Sequence, residues 1–227
     1  MKVLFLIPPS EGKNSGGERS ESLSFVFKKP LEIAKNATEK DLKCQGRRYE
    51  EAIILNIDIG NNTCLEAIER YSGVMYNAID YAGMNENGKI FFEESFCILS
   101  GMYGLLKPRD QIGNYKLPIE TKGLYAFWGD QITEALSQTD VDIIVNLLPN
   151  AYLKMIQEKK LNKTLVNINF LTEKNGKRVK IAHGVKKVKG EWIKKICENT
   201  ITDYNSFGGE VIKKDNTHID INIFYSP

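Results

Sequence analysis

Three uninterrupted apolar runs and a later set of alternating ones divide the chain. Val3 to Ile7 is apolar without a break and stops at Pro8 and Pro9, the pattern of a strand buried on both faces in a parallel or mixed sheet covered by helices. Phe96, Ile98 and Leu99 mark a second strand end, followed by Ser100 and Gly101; Gly104 and Pro108 then forbid a long helix. Ile143, Ile144 and Val145 make a third run, ending at Asn146. Between these strands, helical spacing predicts core-facing helices at Leu31 to Leu42, at Gln45 to Leu55, and through Leu65, Ile68 and Tyr71 with Asn62 or Thr63 as cap. Further helices are predicted at Gly73 to Tyr81, through Trp128, Ile132 and Ala135, and from Pro149 to Ile156.

Past Ile156 the period changes to two. Val166, Ile168 and Phe170 alternate with Asn167 and Asn169, Val179 and Ile181 flank Lys180, and Asn175-Gly176 between them is a hairpin turn signal, so an antiparallel arrangement is expected. Gly184 to Gly190 reads as a basic loop before a helix carrying Trp192, Ile193 and Ile196, and Ile219, Ile221 and Ile223 alternate in a closing strand. These elements predict one α/β domain over residues 1–227: a mixed central sheet surrounded by helices, with a C-terminal antiparallel hairpin.

Composition narrows the function classes. The 227 residues are 42% hydrophobic and 26% charged, ordinary for a chain that buries one large core. No apolar run approaches the roughly 20 residues of a membrane span, and the N-terminal apolar stretch is too short for a secretory signal, so a cytoplasmic protein without a membrane partner is expected. Cys44, Cys64, Cys97 and Cys197 form no CxxC pair and only His183 and His218 could assist them, so neither a metal site nor a cofactor is expected. Charge is segregated. Between Lys154 and Lys195 there are 13 Lys or Arg against 3 Asp or Glu, a surplus of 10, while the whole chain carries only +2. Such polarisation draws a polyanion or a phosphate-bearing ligand to one side.

Candidate chemistry sits at the three strand ends, where open α/β sheets place ligands. The first carries Pro9, Ser10, Glu11 and Lys13, an acid and a base close together and so candidates for proton transfer. A Walker A loop is excluded, because Ile7 and Asn14 stand where its first glycine and its Ser or Thr are required. The second carries Ser100, Gly101, Tyr103 and Gly104, with Tyr103 a further catalytic candidate, and the third carries Asn146. Tyr76 and Tyr81 are either pocket walls or packing residues.

The order of the pieces PPSEGK, ILSGMYGLLKPRDQIGNYKL, LYAFWGDQIT, VNLLPNAYLKMI, LTEKNGK, KKVKG and FGGEVI resembles the YaaA family, the peroxide-stress proteins of bacteria, over essentially the whole chain. Pro9 and Lys13 match the family's N-terminal motif; Ser100, Gly101, Tyr103, Gly104 and Pro108 the central one; Tyr115, Trp128, Gly129 and Asn146 the elements after it. The resemblance implies a cytoplasmic protein of the oxidative stress response that limits oxidative damage or free iron. It also implies a positive cleft for double-stranded DNA, with Lys186, Lys187 and Gly190 in a helix-hairpin-helix-like contact. Where the family commonly reads AKKARG this chain reads GVKKVKG, so Lys189 keeps the charge of an expected Arg but loses its bidentate fork. Two readings follow: binding of duplex DNA through Lys107, Arg109, Lys186, Lys187, Lys189, Gly190 and Lys194, or an enzyme acting on a nucleotide or nucleic-acid base in a strand-end pocket.

Overall fold

The computed structural model describes residues 1–181, 183–215 and 217–225. The first apolar run is β1 (Val3–Ile7), buried along its whole length. Helices α1 (Leu31–Lys35), α2 (Glu39–Leu42) and α3 (Arg47–Ile57) follow, α2 opened by a capping box between Thr38 and Asp41. The segment expected as one helix through Leu65, Ile68 and Tyr71 is instead β2 (Leu65–Glu66) and the single turn α4 (Ala67–Arg70), with Tyr71 already extended. The reason is long-range: the Ala67 and Ile68 N–H groups donate to the carbonyls of Asp110 and Pro108, which ties this backbone to a distant loop.

Next come α5 (Val74–Ile79), α6 (Glu86–Ser95), β3 (Phe96–Ser100), β4 (Gly104–Leu106) and β5 (Gln111–Ile112). The expected Trp128 helix is two, α7 (Leu124–Trp128) and α8 (Gln131–Gln138), broken at Gly129 with φ 46°. After β6 (Ile143–Asn146), α9 (Asn150–Leu153) ends before Met155 and Ile156. β7 (Thr164–Lys174) and β8 (Lys177–Lys180) form the expected hairpin, its Asn175 and Gly176 both at positive φ as a two-residue turn requires. The chain closes with α10 (Val185–Glu198), β9 (Glu210–Lys214) and β10 (His218–Phe224).

The central sheet has eight strands in the order β4-β3-β1-β6-β7-β10-β9, with β8 on β7. β1 pairs in parallel with β3 and β6, so the three apolar runs lie side by side with their carboxyl ends together. β7 is not part of a purely antiparallel unit, because it pairs in parallel with both β6 and β10 and antiparallel only with β8. Alternation along a strand reports which faces are buried and says nothing about the direction of its neighbours. Leu171 stands opposite Phe224 of β10 and Lys180 of β8, while the β6 pairing ends at Asn167, so β8 occupies the edge of β7 that β6 leaves free. The antiparallel β9–β10 pair closes the sheet.

The core is aromatic at its centre. Phe5 and Phe92 each stack on Phe96 at 4.5 Å between ring centroids. Trp128 is fully buried, and its indole N–H donates to the Gly101 carbonyl at 3.0 Å. Burying each such side chain contributes about 1.5–3 kcal/mol. The basic stretch also differs from expectation: Val185 to Gly190 is not a loop but the first turns of α10. Gly190 lies inside that helix because a Cβ there would come 2.4 Å from the Met75 carbonyl and 2.6 Å from the Ala78 Cβ, so the glycine lets α10 press against α5. No helix among the described residues is long and apolar enough to cross a membrane.

Candidate functional site

Beyond the carboxyl end of β1 a cavity of about 500 Å³ opens, within the range of small-molecule sites. Pro8 to Lys13 form one wall, the start of α5 from Gly73 to Tyr76 another, and Tyr115, Lys116, Pro149, Tyr152 and Lys186 complete it. The wall after β1 is held rigidly. Lys13 makes a bridge with Tyr71, the Asn14 N–H donates to the Arg70 carbonyl at 2.8 Å, and the Tyr76 hydroxyl donates to Pro8 O at 3.0 Å. Arg70 is buried, and its guanidinium donates to the carbonyls of Asn14, Gly16, Thr63 and Ile112. A charged group held by four carbonyls fixes the chain just past Lys13.

Lys13 is the unusual residue of this wall. Its Nζ donates to Ser10 O at 3.0 Å and lies 4.3 Å from the centroid of the Tyr115 ring. Burial pushes its pKa down to about 7; the like charge of Lys116 adds to this and Glu11 opposes it. Near neutral pH about half of the Lys13 amines are therefore neutral, which makes this group a nucleophile and a base rather than a fixed cation. Glu11 reaches Lys116 at 3.8 Å and is itself well exposed. With Lys116 and Lys186 against one carboxylate, the cavity favours an anionic ligand.

Beneath the cavity runs a hydrogen-bonded chain. The Ser100 hydroxyl oxygen accepts from the N–H groups of Met102 (3.2 Å) and Tyr103 (3.1 Å), which uses both lone pairs. Its proton therefore goes to the Tyr115 oxygen at 2.7 Å, and Tyr115 in turn donates to Tyr71 at 2.7 Å. Burial raises the pKa of both tyrosines, so they remain neutral and hold the ring that faces Lys13.

Of the residues singled out from sequence, Pro9, Ser10, Glu11 and Lys13 line the cavity together with Tyr76, and Ser100 reaches it through Tyr115. The others do not join them. The Tyr103 hydroxyl accepts from the Gly113 N–H at 3.0 Å, in a buried position raised in pKa by desolvation. Gly101 and Gly104 serve close packing, a Cβ on Gly101 coming 2.7 Å from Leu117 O and one on Gly104 3.0 Å from Trp128. Asn146 donates to Asn167 (2.8 Å), which donates to Asp220 (2.9 Å), a polar ladder across β6, β7 and β10. Lys116, Tyr152 and Arg70 were not legible beforehand; each belongs to a loop or short helix with no local signal of its destination.

The basic candidates divide as well. Lys186 is exposed and reaches the cavity wall. Lys187 pairs with Glu191 at 3.5 Å and Lys194 with Asp80 at 2.7 Å. Lys189 turns inward to donate to Leu147 O, and desolvation pushes its pKa down to about 8. Lys107 donates to Glu94 O at 2.8 Å; Arg109 pairs with the buried Glu66 at 3.0 Å and lines a separate depression with Glu93 and Tyr81. Among the described residues no group of three His, Cys, Asp or Glu comes together to hold a metal ion.

Comparison with known proteins gives the same answer as the motifs. The chain is 38% identical over 142 residues to a UPF0246 protein of Marinomonas sp. (strain MWYL1), covering 59% of this chain and 55% of that one. It is 33% identical over 144 residues to a UPF0246 protein of Psychrobacter cryohalolentis, covering 59% and 54%. A third, from Colwellia psychrerythraea, is 34% identical over 148 residues, 60% and 58% of the two chains. The chain spans about half the length of the curated relatives it matches. The family model described as peroxide stress protein YaaA matches residues 3–209, so the chain belongs to the YaaA family of peroxide stress proteins.

Proposed function

We propose that this peroxide stress protein binds double-stranded DNA on a basic face formed by the β7–β8 hairpin and the start of α10, and that the cavity beside Lys13 receives a sugar- or base-sized group from it. The observation that carries the reading is Lys186, which belongs to the basic stretch and to the cavity wall at once. The hairpin supports it: Lys174, Lys177, Arg178 and Lys180 are all exposed, and four residues separate Lys180 from the first residue of α10. Exposed lysines on a protruding ribbon suit phosphate contacts, which position a duplex without reading its sequence. Lys189 and Lys107, bonded to carbonyls, and Gly190, packed between helices, are left out of the proposed contact. Limiting free iron stays within the proposal with no residue assigned to it.

Fluorescence anisotropy with a short duplex tests the reading. Affinity is expected at low salt and is expected to fall steeply as salt rises, because each phosphate contact releases about one counterion. Lys177→Ala with Lys180→Ala should weaken binding to all sequences alike, and Lys107→Ala should leave it unchanged. Absence of duplex binding at low salt would overturn the reading.

A second reading, chemistry on the captured group, is favoured by one observation: the largely desolvated amine of Lys13 beside the carboxylate of Glu11 on the same wall. A pH profile of any activity found should follow the Lys13 amine, rising as pH passes through about 7.

A further inference from the structure

We propose that Lys13 forms an imine with the aldehyde of a phosphate-bearing pentose held in the cavity. The ring-opened deoxyribose of an abasic site is the DNA-borne source of that group, and a free pentose phosphate is the soluble one. Only the DNA-borne source rests on the binding reading above.

The cavity supplies what imine formation needs. Its volume of about 500 Å³ accommodates a five-carbon sugar phosphate. Among the described residues no carboxylate lies within ion-pair distance of Lys13 Nζ, so the amine is not held as half of a salt bridge; its one polar partner is the Ser10 carbonyl. The face of the Tyr115 ring, at 4.3 Å, gives the amine an apolar floor without consuming its lone pair. Desolvation by that environment leaves much of the amine neutral near pH 7, the form that attacks a carbonyl carbon. Lys116 and Lys186, which line the same cavity, are the cations for the phosphate.

The step balances without an oxidant or reductant. The Nζ lone pair forms a C–N bond to the aldehyde carbon while the carbonyl oxygen gains a proton, giving a carbinolamine. The C–O bond then breaks, the oxygen leaves as water with the second amine proton, and the nitrogen lone pair closes the C=N bond. Glu11, on the same wall, is the group available to carry protons between nitrogen and oxygen. Lys189, the other lysine whose pKa burial lowers, gives its amine to Leu147 O and does not line the cavity, which is why Lys13 is singled out.

The test is reductive trapping on the unaltered full chain. The protein is incubated with sodium cyanoborohydride and either a duplex bearing one abasic site or free deoxyribose 5-phosphate, and the adduct is located by peptide mass mapping. Binding of an intact duplex is measured on the same preparation. The expected result is one dominant adduct, on Lys13, lost in Lys13→Arg. An adduct at Lys13 with the abasic duplex assigns the DNA-borne source, and one with the free sugar phosphate alone assigns the soluble source; both support the imine. No adduct at Lys13 in either arm, or adducts spread evenly over surface lysines, overturns the inference. Intact-duplex binding that persists in that case leaves the DNA reading standing, and its absence beside a Lys13 adduct overturns the DNA reading alone. Mapping on the unaltered chain keeps the outcome independent of how well the arginine variant folds.

Discussion

Replacing Lys13 by methionine tests whether the amine is desolvated, and the sign of the effect depends on pH. In the unfolded chain the amine titrates at its ordinary 10.5, and in the folded protein at about 7. Below pH 7 it is protonated in both states, so folding bears the whole cost of taking the charge out of water. Between 7 and 10.5 the unfolded chain binds more protons than the folded one, so stability rises with pH until the cost is gone. At about 1.4 kcal/mol per pH unit, the cost is about 5 kcal/mol at pH 6 and about 2 kcal/mol at pH 9. The open cavity screens part of this, and Lys13→Met gives up the bond to Ser10 O, worth about 1 kcal/mol. The variant should therefore gain about 2 kcal/mol over the parent at pH 6, and the gain should shrink towards zero by pH 9. Urea denaturation of both proteins across that range measures the difference, in which other titrating groups cancel. A difference that does not change with pH would refute the argument, because it would mean that Lys13 titrates as a solvated lysine.

The same geometry makes three further predictions. Gly190→Ala should cost about 1–3 kcal/mol in urea denaturation, because the new methyl meets the Met75 carbonyl on a helix that cannot retreat. Tyr115→Phe should cost about 1–3 kcal/mol by the same measurement, since the Ser100 proton loses its acceptor and Tyr71 its donor in a buried position. Lys189→Met should leave duplex affinity and its salt dependence unchanged in anisotropy titrations, because the amine it removes is bonded to Leu147 O inside the protein.

Much of the frame was legible because its signals are local. Val3 to Ile7, the run up to Ser100 and the run up to Asn146 announced buried strands by unbroken apolarity, and Asn175-Gly176 announced its hairpin by the left-handed backbone that those residues accept. The errors came where a local cue had a tertiary cause. Gly184 and Gly190 looked like the two ends of a loop, yet the first begins α10 and the second is the contact point of α10 on α5. The spacing of Leu65, Ile68 and Tyr71 suited a helix until backbone bonds to Pro108 and Asp110 claimed it. At the site, Glu11 and Lys13 were visible because they follow a strand directly. Tyr103 and Asn146 were equally visible, but the structure gives their polar atoms to Gly113 and to the Asn167 ladder. Lys116 and Tyr152 reach the cavity by packing alone, which spacing does not encode.

The central claim is that the basic face and the cavity meet at Lys186, and the salt dependence of duplex binding tests it most directly. Titrations over a range of salt should give a linear fall of log affinity with log salt for the parent chain. The Lys186→Ala variant should show a slope shallower by about 0.9, the share of one phosphate contact. An unchanged slope in that variant, or a parent whose affinity does not respond to salt, would contradict the account.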